Sequence, residues 1–171
     1  IPGIGPKAAM KLGRIRVDTI GKLRDLSKEK LLTLFGKWGH DLYKKARGQG
    51  MVTLSTRGVP KSVGVHDTFE LDLTRMQELM DRMRLISEEV FSRFKAEGFL
   101  SFKTVVVTVR YDDFETKQRM LTLKEVAYDA DSLERSAIKL LLPFLDTSEN
   151  PKKKPIRMLG LRVEKLSKEY A

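Results

Sequence analysis

The chain has 171 residues, of which 41% are hydrophobic, which is enough for one medium domain or two small ones. It has no cysteine, which excludes disulfides and thiolate zinc sites and fits a cytoplasmic protein, and no apolar stretch reaches membrane-spanning length. The net charge is +10, and residues 1–50 carry twelve Lys or Arg against four Asp or Glu. This asymmetry favours a polyanionic partner, either nucleic acid or an anionic membrane surface.

The first seven residues are typical of a tight turn that leads into a helix. Gly3 and Gly5 let the turn approach another backbone closely, and Pro6 suits the first helical turn. The free N–H groups of the helix start, together with the charge of Lys7, can hold a phosphate. The pattern resembles a helix-hairpin-helix, a module that grips duplex nucleic acid, although an ordinary glycine-rich helix start is the alternative.

The rest of residues 1–49 is predicted to form short helices, because leucines recur at helical spacing. Ser27 is a candidate N-cap. A second glycine-lysine turn is predicted at Phe35–Gly39, with Lys37 as a further phosphate contact. Trp38, in the same turn, is expected in the core rather than as a platform for a base.

A linker is predicted at residues 48–60, where glycine, serine, threonine and proline dominate, with a domain boundary near residue 52. Beyond it, alternation and helical stripes predict the order β-α-β-β-α-β. The predicted elements are a short strand at 63–65, a helix from 74 to 98, strands at 105–111 and 117–124, a helix from 131, and a strand at 156–164.

This order predicts an α+β domain of the ferredoxin-like, split βαβ kind, with a four-stranded antiparallel sheet and two helices on one face. The other face of the sheet is then open to a partner. Asp72 or Thr74 is predicted to cap the first helix of this domain, with Thr74 and Gln77 as a capping box. Met76, Met80 and Met83 are expected in its core rather than in a peptide groove.

Catalytic chemistry finds little support in the sequence. His40 and His66 are far apart, no metal-ligand spacing occurs, and no nucleophile or phosphate-loop motif is present. Asp112 and Asp113 resemble a magnesium pair, but a hairpin turn explains them better. No catalytic or metal-binding residue is therefore predicted.

Phosphate binding finds much more support, since lysines and arginines lie on or beside the predicted strands. On an open sheet face they would form a band along a nucleic-acid backbone; the alternative is that they only solvate the surface. The predicted DNA-binding residues are Gly3, Gly5, Lys7, Lys37, Arg57, Lys61, Ser62, Gly64, Lys103, Lys117, Arg119, Arg157 and Arg162.

Four stretches together resemble the C-terminal part of a Y-family translesion DNA polymerase of the DinB, or polymerase IV-like, type. They are Ile1–Lys7, Lys61–Phe69, Phe102–Val107 with Phe114–Arg119, and Ile156–Val163. The resemblance implies a thumb (residues 1–50, helix-hairpin-helix), a linker (51–58) and a little finger, or polymerase-associated domain (59–171).

The resemblance further implies a DNA-directed DNA polymerase that serves DNA repair and replication with Mg²⁺ in a palm outside this chain. We then expect residues 1–171 to be a monomeric fragment that binds primer–template DNA and is inactive alone. Val65 and His66 depart from the family pattern, and the glutamine-and-aromatic tail that binds a sliding clamp does not occur before Ala171. A nucleic-acid-binding repair or RNA-binding module, or a protein-interaction domain, is the alternative.

Overall fold

The computed structural model describes residues 1–50, 58–146 and 148–169. The chain divides into two compact units, residues 1–58 and 59–171, which are described separately below. Most of the predicted linker at 51–58, with the boundary near residue 52, lies outside the described residues, as does Arg57. These assignments therefore stay predictions.

The first unit is helical, and capping residues define its helices. Thr19 Oγ1 accepts a hydrogen bond from the Lys22 amide (3.3 Å), and Ser27 Oγ accepts one from the Lys30 amide (3.2 Å), which confirms the predicted Ser27 cap. The helices are α1 (Pro6–Gly13), α2 (Ile20–Asp25), α3 (Lys28–Phe35) and α4 (Lys37–Ala46). They enclose a small core of Leu12, Val17, Leu23, Leu31, Leu42 and Ala46.

Two glycines determine how α3 and α4 meet. Gly36 has φ of +62°, a left-handed conformation that suits glycine, and it separates the two helices at the predicted second turn. At Gly39, a Cβ atom would lie 2.1 Å from the Leu31 carbonyl oxygen, so the helices pack backbone against backbone. Trp38 is half-buried against the small core and meets Phe35 edge-on at 5.1 Å, as the sequence predicts.

The second unit is a four-stranded sheet with two helices on one face. Its elements are β1 (Ser62–Leu73), α5 (Met76–Ala96), β2 (Phe102–Tyr111), β3 (Thr116–Ala127), α6 (Ala130–Leu145) and β4 (Ile156–Glu164). The strand order is β1-β4-β2-β3, with every neighbouring pair antiparallel. The predicted α+β class, the βαββαβ order and the antiparallel sheet are confirmed. The strand order adds a detail, since β4 and β2 are central here, whereas a ferredoxin-like sheet has its first and third strands at the centre.

The register separates the two faces of this sheet, because antiparallel partners point to the same side. Val65, Leu161 and Val107 share a row and belong to the large core under the helices. The neighbouring rows face away from that core and form the open face. These rows include Ser62, Gly64 and His66 of β1, Arg162 and Gly160 of β4, Thr104, Val106 and Thr108 of β2, and Gln118 and Met120 of β3.

Several local predictions need correction. The predicted capping box of Thr74 and Gln77 is wrong, because Arg75 occupies the N-cap of α5 and its side chain makes no capping hydrogen bond. Gln77 Nε2 instead donates to Asp81 Oδ1 at 3.0 Å. The first strand is not short, since β1 continues to Leu73 beyond an irregularity in its pairing with β4.

The helix α5 buries most of the predicted stripe, as its core role requires. Met83 is fully buried and Met80 is half-buried, but Met76 at the helix start is exposed. The Asp112 and Asp113 pair lies in the turn between β2 and β3, where Asp113 Oδ1 accepts a hydrogen bond from the Glu115 amide at 3.0 Å. The turn interpretation is therefore confirmed.

Candidate nucleic-acid interface

The hairpin before α1 presents free backbone donors. Gly3 has φ of +99°, and a Cβ atom there would lie 3.0 Å from the Trp38 ring, so the backbone conformation and the tight contact both favour glycine. Gly5 is the N-cap of α1 and provides no side-chain acceptor, while its carbonyl accepts from the Ala9 amide. The amides of Lys7 and Ala8 therefore have no intrahelical acceptor and point out of the helix start.

Lysines around the hairpin divide into two kinds. Lys11 Nζ donates to the Leu34 carbonyl (2.9 Å) and Lys45 Nζ to the Pro2 carbonyl (3.4 Å), so both tie this unit together. Lys7 and Lys37 are exposed and make no hydrogen bond or ion pair within the described part of the chain. Lys7 is in the first turn of α1 and Lys37 in the first turn of α4, where each adds charge to a helix N-terminus.

At the start of β1, the open face brings the predicted first-strand residues beside β4. Ser62 is opposite Glu164, and Gly64 is opposite Arg162. A Cβ atom at Gly64 would lie 2.8 Å from the Leu161 carbonyl oxygen, so only glycine fits. Two nitrogens of the Arg162 guanidinium bind Glu164 Oε1, at 2.7 and 2.8 Å. The open face therefore carries a cation that is already paired.

Lys61 and Lys103 stand apart from the other predicted strand cations. Lys61 is exposed just before β1, and Lys103 is half-buried near the start of β2. The side chain of neither makes a hydrogen bond or ion pair with any residue that the structure describes. Both ammonium groups are therefore available to an outside anion without a competing carboxylate.

Lys117 and Arg119 lie on the helix-covered side of the sheet, not on the open face. They are opposite Val109 and Val107, which belong to the large core. Lys117 Nζ donates to the Glu149 carbonyl at 2.6 Å, and Arg119 Nη1 contacts Glu149 Oε1 at 2.7 Å. Lys117 and Arg119 therefore hold the loop after α6 against the edge strand β3. This placement does not support a continuous basic band that they would share with Arg162.

Arg157 occupies an irregular position in β4. Its neighbours Ile156 and Met158 pair with Tyr111 and Arg110, so Arg157 is the extra residue of a bulge. Its Nη1 lies 3.7 Å from Asp72 Oδ1. Arg157 is thus placed at the end of the sheet, away from Arg162.

The lysine run before β4 is split by ion pairing. Lys154 Nζ binds Asp113 and Glu115 at 2.6 Å each, and the Asp113 bond, then the Glu115 bond, raises the pKa of this lysine well above its usual range. The same contact with Lys154 lowers the pKa of Asp113. Lys152 and Lys153 are exposed and meet no carboxylate in the part of the chain that the structure describes.

Sequence reasoning missed Arg110 as an open-face cation. It shares a row with Met158 and Thr116, and its Nε donates to Thr116 Oγ1 at 2.9 Å. The signal was available, because Arg110 has the same parity in β2 as Thr104 and Thr108, which face away from the core. Gln118 was also missed, and its Nε2 donates to Thr108 Oγ1 at 3.0 Å.

The combination of a glycine hairpin in a helical unit with an antiparallel sheet open on one side has a counterpart among solved structures. A Y-family DNA polymerase chimera, Dbh-Dpo4(243-245)-Dbh, superposes with a TM-score of 0.76 over 97% of this chain and 46% of that chain, at 17% identity. At this identity the likeness shows the fold. The fold is thus that of a Y-family polymerase region.

The sequence then places the chain in its family. Residues 60–171 match the impB/mucB/samB family C-terminal domain, and residues 1–50 match the thumb domain of DNA polymerase-iota. The chain belongs to the impB/mucB/samB family and is the C-terminal region of a Y-family DNA polymerase, which confirms the resemblance noted in the sequence.

Curated relatives support the same assignment. The chain is 31% identical to DNA polymerase IV of Brucella melitensis over 96% of its length, and 31% identical to DNA polymerase IV of Methanoculleus marisnigri over 97%. It spans 36% and 44% of those two proteins, respectively. This chain therefore corresponds to less than half of either relative.

A metal-binding cluster and a membrane-spanning helix are both absent from the described residues. No group of three or more His, Cys, Asp or Glu there could hold a metal ion. No helix among them is both long enough and apolar enough to cross a membrane.

Proposed function

We propose that this region holds primer–template duplex DNA by its phosphates, without reading base sequence, for a lesion-bypass DNA polymerase. The observation that carries the proposal is that four of the predicted DNA-binding lysines meet no carboxylate within the described residues. They are Lys7, Lys37, Lys61 and Lys103. Lys7 and Lys37 lie at helix starts, beside N–H groups without an intrahelical acceptor, and Lys61 and Lys103 lie near strand starts.

In the helical unit, the hairpin supplies the phosphate site. The amides of Lys7 and Ala8 and the Lys7 ammonium group point outward from one helix N-terminus. Backbone N–H groups and a helix dipole suit a phosphate oxygen and carry no information about the base. A Cβ atom at Gly5 would meet nothing within 4 Å, so a nucleic-acid backbone can approach there, while Gly3 lets the turn pack against Trp38.

On the sheet, the open face supports backbone tracking rather than base stacking. The central strand β2 has Thr104, Val106 and Thr108 on this side, all three buried, whereas sheets that stack RNA bases present aromatic rings there. Ser62 and Gly64 follow Lys61 at the start of β1. This stretch therefore offers a hydroxyl group, a backbone position without a side chain and a positive charge in one place. This composition favours duplex DNA over single-stranded RNA.

Internal carboxylates limit the number of strong contacts. Arg119, Arg157 and Arg162 each meet an acidic residue, and Lys117 meets Glu149. If only Lys7, Lys37, Lys61 and Lys103 neutralise phosphates, the slope of log K against log salt should be about −3.6, since each contact contributes about −0.9. Eight equal contacts would give about −7.

The remaining expectations about the whole enzyme belong to the same proposal. The parent adds dNTPs to a primer end, with Mg²⁺ held by a palm outside residues 1–171, and these residues alone do not polymerise. This assignment is supported by the DNA polymerase IV relatives, which extend well beyond the part that the chain matches. We also propose that the parent enzyme acts in the cytoplasm as a monomer and that a sliding clamp is a further partner.

Titration of a fluorescent duplex tests the proposal directly. Lys61→Gln and Lys103→Gln should each weaken binding on duplexes of different sequence alike and reduce the salt slope by about 1. Lys139→Gln, an exposed lysine of α6 that is not among the predicted DNA-binding residues, is the matched control and should leave the slope unchanged. The proposal would be contradicted if Lys61→Gln and Lys103→Gln had the same salt slope as the Lys139→Gln control. Tighter binding of single-stranded RNA than of duplex DNA would also contradict it.

A further inference from the structure

Phe114, in the turn between β2 and β3, has an unusual backbone. Its φ is +66°, which bulky residues rarely adopt. The turn fixes it, because the Phe114 amide donates to the Tyr111 carbonyl (3.0 Å) and the Tyr111 amide donates to the Glu115 carbonyl (2.9 Å). The ring is 64% exposed as a result. Such outliers persist only where the surroundings over-determine them, and they cluster at functional sites.

Lys154 adds a second restraint to the same turn. Its ammonium group binds the carboxylates of Asp113 and Glu115, the two residues that flank Phe114. The Asp112 amide also donates to the Pro155 carbonyl at 3.1 Å, which joins the turn to the start of β4. The ring is thus presented on a fixed support, and its two acidic neighbours share one ammonium group.

Arg157 covers one face of the ring. Its guanidinium carbon lies 4.8 Å from the Phe114 ring centroid, and its Nη1 is 3.7 Å from Asp72 Oδ1. A guanidinium over an aromatic face is a favourable cation–π arrangement. Because Arg157 occupies one side of the ring and Phe114 is largely exposed, the opposite side remains open. A flat partner could stack there without any rearrangement of the protein.

The position of the ring suggests what that partner is. Arg110 and Met158 form the last row of the open face before the turn, and Phe114 follows just beyond it. A DNA strand that runs along the open face and leaves the duplex at this end meets an aromatic ring and a guanidinium. We propose that Phe114 and Arg157 form a stacking site for an unpaired nucleobase of DNA, a proposal that rests on the duplex-binding function above.

The chemistry of the site defines its selectivity. A phenyl ring offers no hydrogen bond, so it accepts any base through its π-face. Arg157 adds a positive charge for the neighbouring phosphate. Asp112 is exposed and meets no cation within the described residues, so the turn holds three carboxylates against the one ammonium group of Lys154. Because stacking on a neutral ring releases no counterion, its contribution should depend little on salt, unlike that of the lysine contacts.

The test measures affinity of the whole chain for three probes by fluorescence anisotropy. They are a blunt duplex, the same duplex with a short single-stranded extension, and that extension made of abasic sites. Wild type should prefer the base-bearing extension to the abasic one. Phe114→Ala should lose at least about five-fold affinity for the base-bearing extension alone, and Phe114→Trp should retain it.

Leu71→Ala removes another strongly exposed apolar side chain of the same unit and is the matched control, expected to change nothing. Thermal unfolding of each variant checks that the fold is intact. If Phe114→Ala binds all three probes as wild type does, or weakens all three equally, the stacking site is refuted. If wild type does not bind the blunt duplex, the duplex-binding proposal is refuted instead. The stacking proposal is still decided in that case by comparing the base-bearing extension with the abasic one.

Discussion

Replacing Gly39 with alanine should destabilise the helical unit selectively. A Cβ atom at this position would lie 2.1 Å from the Leu31 carbonyl oxygen and 2.4 Å from the Leu31 carbonyl carbon. An ordinary contact there is about 3.4 Å or more, and the obstructing atoms are backbone, so no side-chain rotation relieves the clash. The helices α3 and α4 must therefore move apart by roughly an ångström.

The cost can be judged from the size of the core. Six buried residues hold this unit together, and Leu31 and Leu42, which belong to α3 and α4, are fully buried among them. Inserted atoms in a well-packed core cost about 1–3 kcal/mol. Because both sides of the clash are rigid, we expect a loss of at least about 2 kcal/mol, which is a large share of the stability of so small a unit.

Tryptophan fluorescence isolates the effect. Trp38 is the only tryptophan of the chain and packs against this core, so its emission during urea unfolding reports the helical unit. Gly13→Ala is the matched control, since a Cβ atom there meets nothing within 4 Å and the substitution should be neutral or slightly stabilising. A midpoint for Gly39→Ala within the error of that control would refute the backbone-to-backbone packing of α3 and α4.

Three further outcomes are expected. Asp129 caps α6 by accepting from the Ser132 amide (2.7 Å), and this bond lowers its pKa. Its stabilisation is therefore present above pH 4 and is lost as the pH falls through the lowered value; Asp129→Ala should cost about 1 kcal/mol in thermal unfolding at pH 7, and Asp129→Asn should retain the cap with less acid sensitivity. Glu164→Gln frees Arg162 and should raise duplex affinity several-fold, with a salt slope steeper by about 1 in anisotropy titrations. Gly160→Ala would place a Cβ atom 2.3 Å from the exposed His66 ring, which can turn away, so calorimetry should show a loss below about 1 kcal/mol.

Local signals in the sequence predicted the elements well. The Ser27 cap, the turn at Gly36 and the alternation of Val105, Val107 and Val109 each depend on residues within a few positions. The capping box at Thr74 failed for a local reason too, because the helix begins one residue later, at Met76. Element boundaries are the part that tertiary packing moves most easily.

The candidate interface could be predicted only in part, because strand faces depend on distant pairing. Lys117 and Arg119 face the helix side through the β2–β3 register, and Glu149 reaches them from a loop 30 positions further on. Arg157 is displaced by a bulge that pairing with β2 creates. No nearby residue signals these facts. The hairpin of Gly3, Gly5 and Lys7 was predictable because its chemistry is contained in one short segment.

The central claim is that a few unpaired lysines hold duplex DNA by its phosphates, and the salt dependence of binding tests it most directly. Duplex affinity of the whole chain should be measured from low to moderate salt, on two unrelated sequences. The account predicts the same slope for both, about −3.6 for four contacts. A slope near zero, or a strong preference for one sequence, would contradict it.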